Sequence, residues 1–255
     1  MNQQGRGLAL VTGAARGIGH AIASSLATEG FDLALVSLEA EGPALSTFTR
    51  HGVRAMYFSD DIARIDGHSE LITRIEAALG PITCLVNNAG VTSLVRGDLL
   101  DLTPESFDRS IGVNLRGTFF LTQAVARRML VTSSPDRVRT IITISSANAS
   151  IVGENRGDYC MTKSALAMMN KLFASRLASS GISAFEVRPG IIETEMTAPA
   201  AQRYGAFIES GGVPMRRWGN ADDVAKAVAT LATGGLPFTT GIHIDVGGGM
   251  QLHRV

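Results

Sequence analysis

Residues 8–29 constrain the fold of this chain more than any other stretch. An apolar run, Leu8–Thr12, is typical of a buried parallel strand, and the turn GAARGIG at 13–19 follows it directly. An amphipathic helix then runs to about residue 29. Because the bare N–H groups of the turn and the positive helix end face one point, this order predicts a diphosphate site. The candidate ligands in the turn are Gly13, Arg16, Gly17 and Gly19.

The spacing of these glycines narrows the choice of ligand. It reads G-x-x-x-G-x-G, and no Gly-Lys-Ser/Thr follows that would indicate the phosphate-binding loop of an ATPase. Since the turn follows a strand and opens a helix, it favours a dinucleotide. A glycine-rich turn without any ligand is the alternative.

Strands and helices alternate along the rest of the chain. We predict strands at 8–12, 32–37, 53–58, 82–86, 140–145, 182–187 and 242–246. Helices are predicted up to 29, at 43–50, 66–79 and 104–129, from 157, and at 222–231. With no linker and no repeat, this pattern predicts an α/β protein in which residues 1–255 form one domain around a doubly wound parallel sheet.

Several candidate ligands follow the strands of this predicted sheet. In doubly wound sheets, ligands bind along the edge where the strands end. Four strands deliver their candidates to that edge: the glycine turn, then Asn88, Ser146 and Pro189. Small residues beside them let a ligand approach the backbone, and they are Ala89, Gly90 and Gly190. The sequence therefore predicts one crevice that holds all of these groups.

A helix that begins at Gly157 carries a phenol and an amine one turn apart. Tyr159 and Lys163 stand at i and i+4, so their side chains share one helix face. A cation beside a phenol favours the phenolate, so we expect Lys163 to lower the pKa of Tyr159 from its usual value of about 10. Such a tyrosine can give a proton to a carbonyl oxygen or take one from an alcohol, and Ser146 can hydrogen-bond the same oxygen. Because Tyr-x-x-x-Lys also occurs by chance, its weight comes from the rest of the chain.

Two further stretches interrupt the regular pattern. Asn114 and Gly117 lie inside an apolar helix, although helices disfavour both residue types. Such an interruption indicates a kink, a functional polar group or only a less regular piece of helix. Residues 191–213 show little periodicity and contain proline and glycine, and a long stretch of that kind beside a site predicts a substrate lid.

The end of the second predicted strand bears on the choice of dinucleotide. Ser37 stands where an acidic residue would bind the adenosine ribose hydroxyls. With no carboxylate there to repel a 2′-phosphate, and with Arg16 able to pair with one, the sequence favours NADP(H) and leaves NAD(H) open. Glu39 lies close enough to weaken this preference, and Arg16 as an exposed loop arginine is the alternative. Asp61, which precedes Ile62 after the third strand, can accept a hydrogen bond from the adenine amino group or cap a helix.

Composition bears on several function classes. The 23 basic and 23 acidic residues cancel, so nothing indicates nucleic acid or an anionic membrane as a partner. Cys84 and Cys160 lie far apart in apolar or helical surroundings, as expected of reduced thiols, and neither indicates a metal site. Met1–Gly7 is polar, and no apolar run approaches ~18 residues, so we expect a soluble, cytoplasmic protein.

Taken in order, these motifs resemble those of the short-chain dehydrogenase/reductase family over nearly the whole chain. The motifs are Thr12-Gly13-x-x-x-Gly17-x-Gly19, Asn87-Asn88-Ala89-Gly90, Asn114, Ser146, Tyr159-x-x-x-Lys163 and Arg188-Pro189-Gly190. The resemblance implies a Rossmann fold, a three-layer sandwich whose seven parallel strands run in the order 3-2-1-4-5-6-7. It also implies a homotetramer paired through the helices of Asn114 and Tyr159 and through the last strand.

The resemblance further implies a role for each matching residue. Tyr159 would be the acid/base, Lys163 its pKa-lowering partner and a ribose ligand, and Ser146 would position the carbonyl. Asn114 would hold a water in a proton relay. The positions that match family cofactor contacts are Thr12, Ile18, Asn88, Ile192 and Thr194. Ser37 departs from the acidic pattern of NAD-dependent members.

Within the family the chain is most similar to bacterial 3-oxoacyl-[acyl-carrier-protein] reductases, which reduce a thioester substrate with NADPH. Arg128 and Arg176 fall where those enzymes carry basic residues for the acidic carrier protein, although solvated helix arginines explain them equally well. Two alternatives stay open: an NAD-dependent sugar, polyol or other secondary-alcohol dehydrogenase, and a dinucleotide-binding regulator without catalysis.

Overall fold

The short apolar runs of the sequence form the strands of one parallel sheet. A computed structural model describes residues 6–132 and 137–252; the remaining parts of the predicted domain, 1–5, 133–136 and 253–255, lie outside the described residues. The strands are β1 (Gly7–Thr12), β2 (Phe31–Ser37), β3 (Ala55–Ser59), β4 (Ile82–Asn87), β5 (Arg139–Ile144), β6 (Ile182–Pro189) and β7 (His243–Val246). Their order, β3-β2-β1-β4-β5-β6-β7, confirms the predicted seven-stranded topology.

Helices cover both faces of this sheet. They are α1 (Gly17–Thr28), α2 (Ser46–Thr49), α3 (His68–Leu79), α4 (Pro104–Ser110), α5 (Thr118–Val131), α6 (Gly157–Leu177), α7 (Ala201–Glu209) and α8 (Ala221–Ala232). Within residues 6–132 and 137–252, every helix is too short or too polar to cross a lipid bilayer.

Alternating side chains of the strands divide the core into two layers. On β1, Ala9 and Val11 pack with α1 and α8, whereas Leu8 and Leu10 pack with α3 and α5 on the opposite face. All six residues of β1 are buried, as are all six of β4, because helices cover these central strands on both sides. The predicted three-layer sandwich of a single domain is therefore confirmed.

Three elements differ from the sequence-based prediction. The helix predicted at 104–129 contains a π-helical turn, Ile111–Gly117, between α4 and α5. Gly117 allows the chain to pass close to Ile62, because a Cβ at this position would lie 2.6 Å from the Ile62 carbonyl oxygen. The predicted helix at 43–50 shortens to α2. Residues 191–213, predicted to show little periodicity, contain α7, in which Ile208 is buried.

Candidate active site

The glycine turn between β1 and α1 exposes backbone to a groove at the sheet edge. Gly13 and Gly17 have φ of 64° and 56°, a left-handed conformation that favours glycine. A Cβ on Gly19 would overlap the carbonyl oxygen of Gly13, so the turn closes only without one. Gly17 has a single neighbour within 4 Å of its Cβ position, Thr194 Cγ2 at 3.9 Å. This bare backbone at the start of α1 fits the diphosphate of a dinucleotide.

Two predicted cofactor residues hold this turn against the end of β4. The Thr12 hydroxyl accepts hydrogen bonds from the backbone N–H groups of Asn88 and Ala89, both at 3.0 Å. The Asn88 amide donates to the carbonyl oxygens of Thr12 and Gly13 at 3.0 and 3.1 Å. Thr12 and Asn88 therefore shape the groove through contacts within the protein.

The residues predicted around the adenosine ribose are also engaged with the protein. The buried Ser37 hydroxyl accepts a hydrogen bond from Ala15 N at 3.3 Å, which ties β2 to the glycine turn. The Arg16 guanidinium lies 3.4 Å from Glu39 and 3.4 Å from Glu195. The preference for NADP(H) assumed an Arg16 available to a phosphate, whereas here two carboxylates already approach it.

Asp61 and Ile62 lie in the turn after β3. The Asp61 carboxylate accepts a hydrogen bond from Ala63 N at 2.9 Å, so it caps a local turn rather than a helix. Ile62 is buried, with its carbonyl oxygen near Gly117.

The predicted catalytic residues converge beside Gly90. A Cβ built on Gly90 would lie 3.2 Å from Asn114 Oδ1 and 3.6 Å from Lys163 Nζ, so the two polar groups flank one point of backbone. Gly13 connects this point to the glycine turn, because its Cβ position is 2.9 Å from Ala89 Cα. The structure thus joins the turn and the polar groups in one crevice.

Asn114 owes its position to the π-helical turn. Its Oδ1 accepts a hydrogen bond from Val91 N at 2.7 Å, and its Nδ2 donates to Val91 O at 2.9 Å and to Thr162 Oγ1 at 3.1 Å. Asn114 is fully buried. The side chain that interrupts the helix therefore clamps the strand-end loop to α6, and the sequence interpretation of a functional polar group at this kink is consistent with that.

Ser146, Tyr159 and Lys163 meet where β5 ends against α6. The Ser146 hydroxyl accepts a hydrogen bond from Asn148 N at 3.1 Å and lies close enough to the Tyr159 phenol to act on its pKa. Lys163 Nζ donates to the Ile144 carbonyl at 3.0 Å and lies 5.5 Å from the centroid of the Tyr159 ring. Serine, phenol and ammonium therefore share one small volume, as the motif spacing predicts.

The pKa shifts correct one expectation about this group. Burial raises the pKa of Tyr159, while the hydrogen bond with Ser146 and the charge of Arg156 act in the opposite direction without reversing it. The prediction that Lys163 lowers the pKa of Tyr159 is therefore wrong for this structure. Burial lowers the pKa of Lys163 itself to about 8, against the opposing charge of Glu186. Desolvation outweighs the attraction that the i, i+4 spacing suggested.

The strand-end residues after β6 close the far side of the groove. Gly190 packs against Gly247, whose Cα would lie 2.6 Å from a Cβ at 190, and its N–H donates to Val246 O at 2.9 Å. Pro189, the last residue of β6, is paired with Val246. Ile192 is buried and pairs with Gly219.

Thr194 and Ile18 lie on the two walls of this groove. The Thr194 N–H donates to Thr197 Oγ1 at 3.0 Å, and its methyl group faces Gly17 across the groove. Ile18, in the first turn of α1, is partly buried against the core. The start of the predicted lid therefore runs directly over the glycine turn.

Sequence reasoning missed a buried carboxylate next to Tyr159. Asp158 is fully buried and accepts hydrogen bonds from the hydroxyls of Ser93, Ser106 and Ser110, the last two at 2.7 and 2.9 Å. It also accepts one from Tyr159 N at 2.8 Å. Burial acts to raise the pKa of Asp158, but these hydrogen bonds outweigh it and hold the pKa below its usual value. No spacing in the sequence links the three serines to residue 158, because they come from two other segments.

Comparisons with known proteins agree with this geometry. The profile of a family described as Enoyl-(Acyl carrier protein) reductase matches residues 13–251. A protein of Escherichia coli K12, "3-oxoacyl-[acyl-carrier-protein] reductase FabG", is 36% identical over 99% of this chain and 100% of its own length. A crystal structure of 3-oxoacyl-[acyl-carrier protein] reductase from Brucella melitensis in complex with NAD superposes with a TM-score of 0.96, at 44% identity and full coverage of both chains.

A third similar structure carries a different name. It is a gluconate 5-dehydrogenase from Burkholderia cenocepacia in complex with NADP and tartrate, with a TM-score of 0.88 and 31% identity over 95% of this chain and 94% of that one. A glycine turn that opens onto a serine, a tyrosine and a lysine defines a dinucleotide-dependent oxidoreductase. This chain belongs to the short-chain dehydrogenase/reductase family.

Replacing Asp158 by Asn should reduce stability in a pH-dependent way. Asparagine has the same shape as aspartate, but its N–H₂ group would face serine hydroxyls that donate to the carboxylate in the parent protein. We expect this mismatch of two donors to lower the free energy of unfolding by about 1–3 kcal/mol at pH 7. Because the pKa of Asp158 is lowered on folding, the stability that it contributes is present above its unfolded pKa of about 4 and is lost as the pH falls through the folded value. Urea unfolding at several pH values measures this; the gap between variant and parent should shrink in acid.

Asp98→Asn serves as the control for that series. Asp98 is exposed, and its carboxylate accepts one hydrogen bond from Leu100 N at 2.9 Å. We expect a loss below about 1 kcal/mol. Equal losses in the free energy of unfolding for the two variants would show that the buried hydrogen bonds between Asp158 and the serines stabilise the protein no more than the exposed bond of Asp98 does.

Proposed function

We propose that the protein is an NAD(P)H-dependent oxidoreductase that interconverts a ketone and a secondary alcohol. The observation that carries this proposal is the convergence of Ser146 and Tyr159 with Lys163, which itself lies beside Gly90. A dinucleotide bound along that turn would supply or accept hydride at nicotinamide C4. A regulator without catalysis would need only the turn, so the polar set disfavours that alternative.

Each residue of the set has a distinct part in this proposal. Tyr159 donates its phenolic proton to the carbonyl oxygen during reduction and takes it back from the alcohol during oxidation. Ser146 hydrogen-bonds the same oxygen as negative charge develops on it. Lys163, held by the Ile144 carbonyl, binds ribose hydroxyls of the cofactor. Asn114 holds the Val91 backbone in place through its hydrogen bonds. Gly90 therefore faces the region in which the proton is transferred.

The substrate class that the relatives favour is a 3-oxoacyl thioester, since two of those described above carry the name 3-oxoacyl-[acyl-carrier-protein] reductase. An acidic carrier protein would then be a partner. Of the two arginines predicted to meet it, Arg128 forms an ion pair with Glu76 at 2.7 Å, whereas Arg176 is exposed. A sugar-acid or polyol dehydrogenase is the second candidate, favoured by the likeness to a gluconate 5-dehydrogenase.

Two further features belong to this proposal. We propose that residues 191–213 act as a lid, because Thr194 faces Gly17 and Glu195 pairs with Arg16 across the groove. A cytoplasmic location is also proposed, since Cys84 and Cys160 are both free thiols, as expected in a reducing compartment.

Substituting Tyr159 by Phe should abolish turnover while cofactor binding persists. Removal of the hydroxyl takes away the proton donor but leaves the aromatic ring, so we expect a loss of about 10²-fold or more in kcat. The rate of NAD(P)H oxidation with acetoacetyl-N-acetylcysteamine gives turnover, and cofactor fluorescence gives binding. Lys163→Met should also impair turnover, whereas Lys171→Met, on the exposed face of the same helix, should not. Normal turnover by the phenylalanine variant would defeat the assignment.

The preference between the two dinucleotides should depend on Glu39. A 2′-phosphate must compete with Glu39 for Arg16, whereas a 2′-hydroxyl need not. Glu39→Gln should therefore raise kcat/KM with NADPH relative to NADH by about two- to fivefold at low salt, a modest effect because both side chains are exposed. Glu41→Gln, in the same loop, is the matched control. An unchanged ratio would mean that Arg16 does not contact a 2′-phosphate.

A homotetramer is the assembly that the proposal includes. On α6, Met168 and Leu172 are 55% and 58% exposed. Phe120 and Met161 add to this exposed apolar surface. Such a patch is typical of a subunit interface. Sedimentation velocity should give the mass of four chains, and Leu172→Asp should reduce it; Met56→Asp, on the edge strand β3, should not.

A further inference from the structure

Three arginine side chains gather around the phenol of Tyr204 on α7. Arg96 and Arg203 lie close enough to its hydroxyl to lower its pKa, and the Arg203 guanidinium carbon lies 5.3 Å from its ring centroid. Arg156 is close enough for its charge to act on both Tyr204 and Tyr159. We refer to Arg96, Arg156 and Arg203 as the arginine cluster.

The cluster is assembled from three separate parts of the chain that border Tyr159. Arg96 lies in the loop after β4, Arg156 in the turn that precedes α6, and Arg203 on α7 within residues 191–213. The ring of Tyr204 packs edge to face against the ring of Trp218, with the two ring centroids 6.1 Å apart. Arg156 and Tyr204 both act electrostatically on Tyr159, so the cluster around Tyr204 adjoins the proposed catalytic tyrosine.

The hydrogen bonds of Arg96 and Arg156 go to neutral groups. Arg96 donates to Thr92 Oγ1 at 3.4 Å. Arg156 donates to the side-chain oxygens of Asn148 and Asn155, each at 3.0 Å. Elsewhere in the fold arginines approach carboxylates at 2.7 Å, as Arg54 does with Asp32.

Within residues 6–132 and 137–252, none of the three forms an ion pair at 4.0 Å or less. Asp158 accepts its hydrogen bonds from serine hydroxyls and from Tyr159 N rather than from these arginines. Glu154, two residues before Arg156, is exposed. Three like charges in one cleft repel each other and create a strongly positive potential there.

The titration of Tyr204 reflects this potential. Burial acts to raise the pKa of its phenol, but the charge of Arg156 and the hydrogen bonds of Arg96 and Arg203 outweigh burial and lower the pKa. A negative charge at this position is therefore stabilised by the surrounding protein.

We propose that the arginine cluster binds an anionic group of the substrate while the reacting carbonyl lies against Tyr159 and Ser146. This inference rests on the proposed function and names the chemistry of its substrate: a carbonyl or alcohol with a carboxylate or phosphate within reach. Guanidinium groups suit both anions because they offer paired N–H donors. The anion comes from one of two sources, the carboxylate of a small keto or hydroxy acid or a phosphate of the carrier that holds an acyl thioester.

Two matched pairs of substrates separate these sources. Acetoacetate and methyl acetoacetate differ in one carboxylate, whereas acetoacetyl-CoA and acetoacetyl-N-acetylcysteamine differ in the phosphates of the carrier. The quantity measured is the ratio of kcat/KM within each pair. We expect at least one ratio to exceed about tenfold in favour of the anion, as the loss of a charge-assisted hydrogen bond would produce. A preference for the anion in the first pair indicates that the substrate is a small keto or hydroxy acid. A preference in the second pair indicates that the substrate is an acyl thioester on a phosphate-bearing carrier.

A variant links that preference to the cluster. Arg96→Gln combined with Arg203→Gln should bring the preferred ratio close to one, mainly by raising KM for the anionic substrate. Arg109→Gln is the matched control, because Arg109, like Arg203, is exposed, and it donates to the Thr92 carbonyl at 3.1 Å but lies outside the cluster. Its ratio should change by less than about twofold. Cofactor fluorescence confirms that each variant still folds and binds the dinucleotide.

The outcomes separate this inference from the function on which it rests. If the parent enzyme reduces both members of each pair equally well, or if the double variant keeps the preference, the inference is overturned and the proposed function stands. Failure to oxidise NADH or NADPH with any of the four substrates counts against the reaction and with it the inference.

Discussion

The hydrogen bonds between the ends of β1 and β4 are the constraint on which the rest of the site depends. At this point the strand order of the sheet reverses, which opens a crevice between neighbouring loops. Thr12 and Asn88 bridge the crevice at its base and fix the glycine turn against Ala89. Since Gly90 follows directly and faces Asn114 and Lys163, the place for a diphosphate and the place for proton transfer are set by one contact.

Burial gives the polar residues of this crevice their character. Lys163 is 5% exposed and Asp158 is fully buried, and each charge is accommodated by neutral dipoles, the Ile144 carbonyl for one and serine hydroxyls for the other. Low-dielectric surroundings shift the pKa of Lys163 to about 8 and raise that of Tyr159. By contrast, the three arginines around Tyr204 form no ion pair with a carboxylate within residues 6–132 and 137–252.

Much of the architecture was predictable because it is encoded locally. The strand and helix order, the glycine turn and the i, i+4 placement of Tyr159 and Lys163 all follow from patterns within a few residues. The predictions about the surroundings of individual residues were less accurate. Ser37 turns to Ala15, Arg16 pairs with two carboxylates, and the pKa of Tyr159 moves opposite to the expected direction, since each depends on groups distant in sequence.

By itself, the sequence determined the class of fold, the edge of the sheet that carries the site and the residue types that meet there, because apolar periodicity and strand–turn–helix order are local properties. Only the tertiary structure decided which groups surround those residues. The serines around Asp158 come from the loop after β4 and from α4, and the arginines around Tyr204 come from three segments. Desolvation and Coulomb interactions act through space, so no spacing along the chain reveals them.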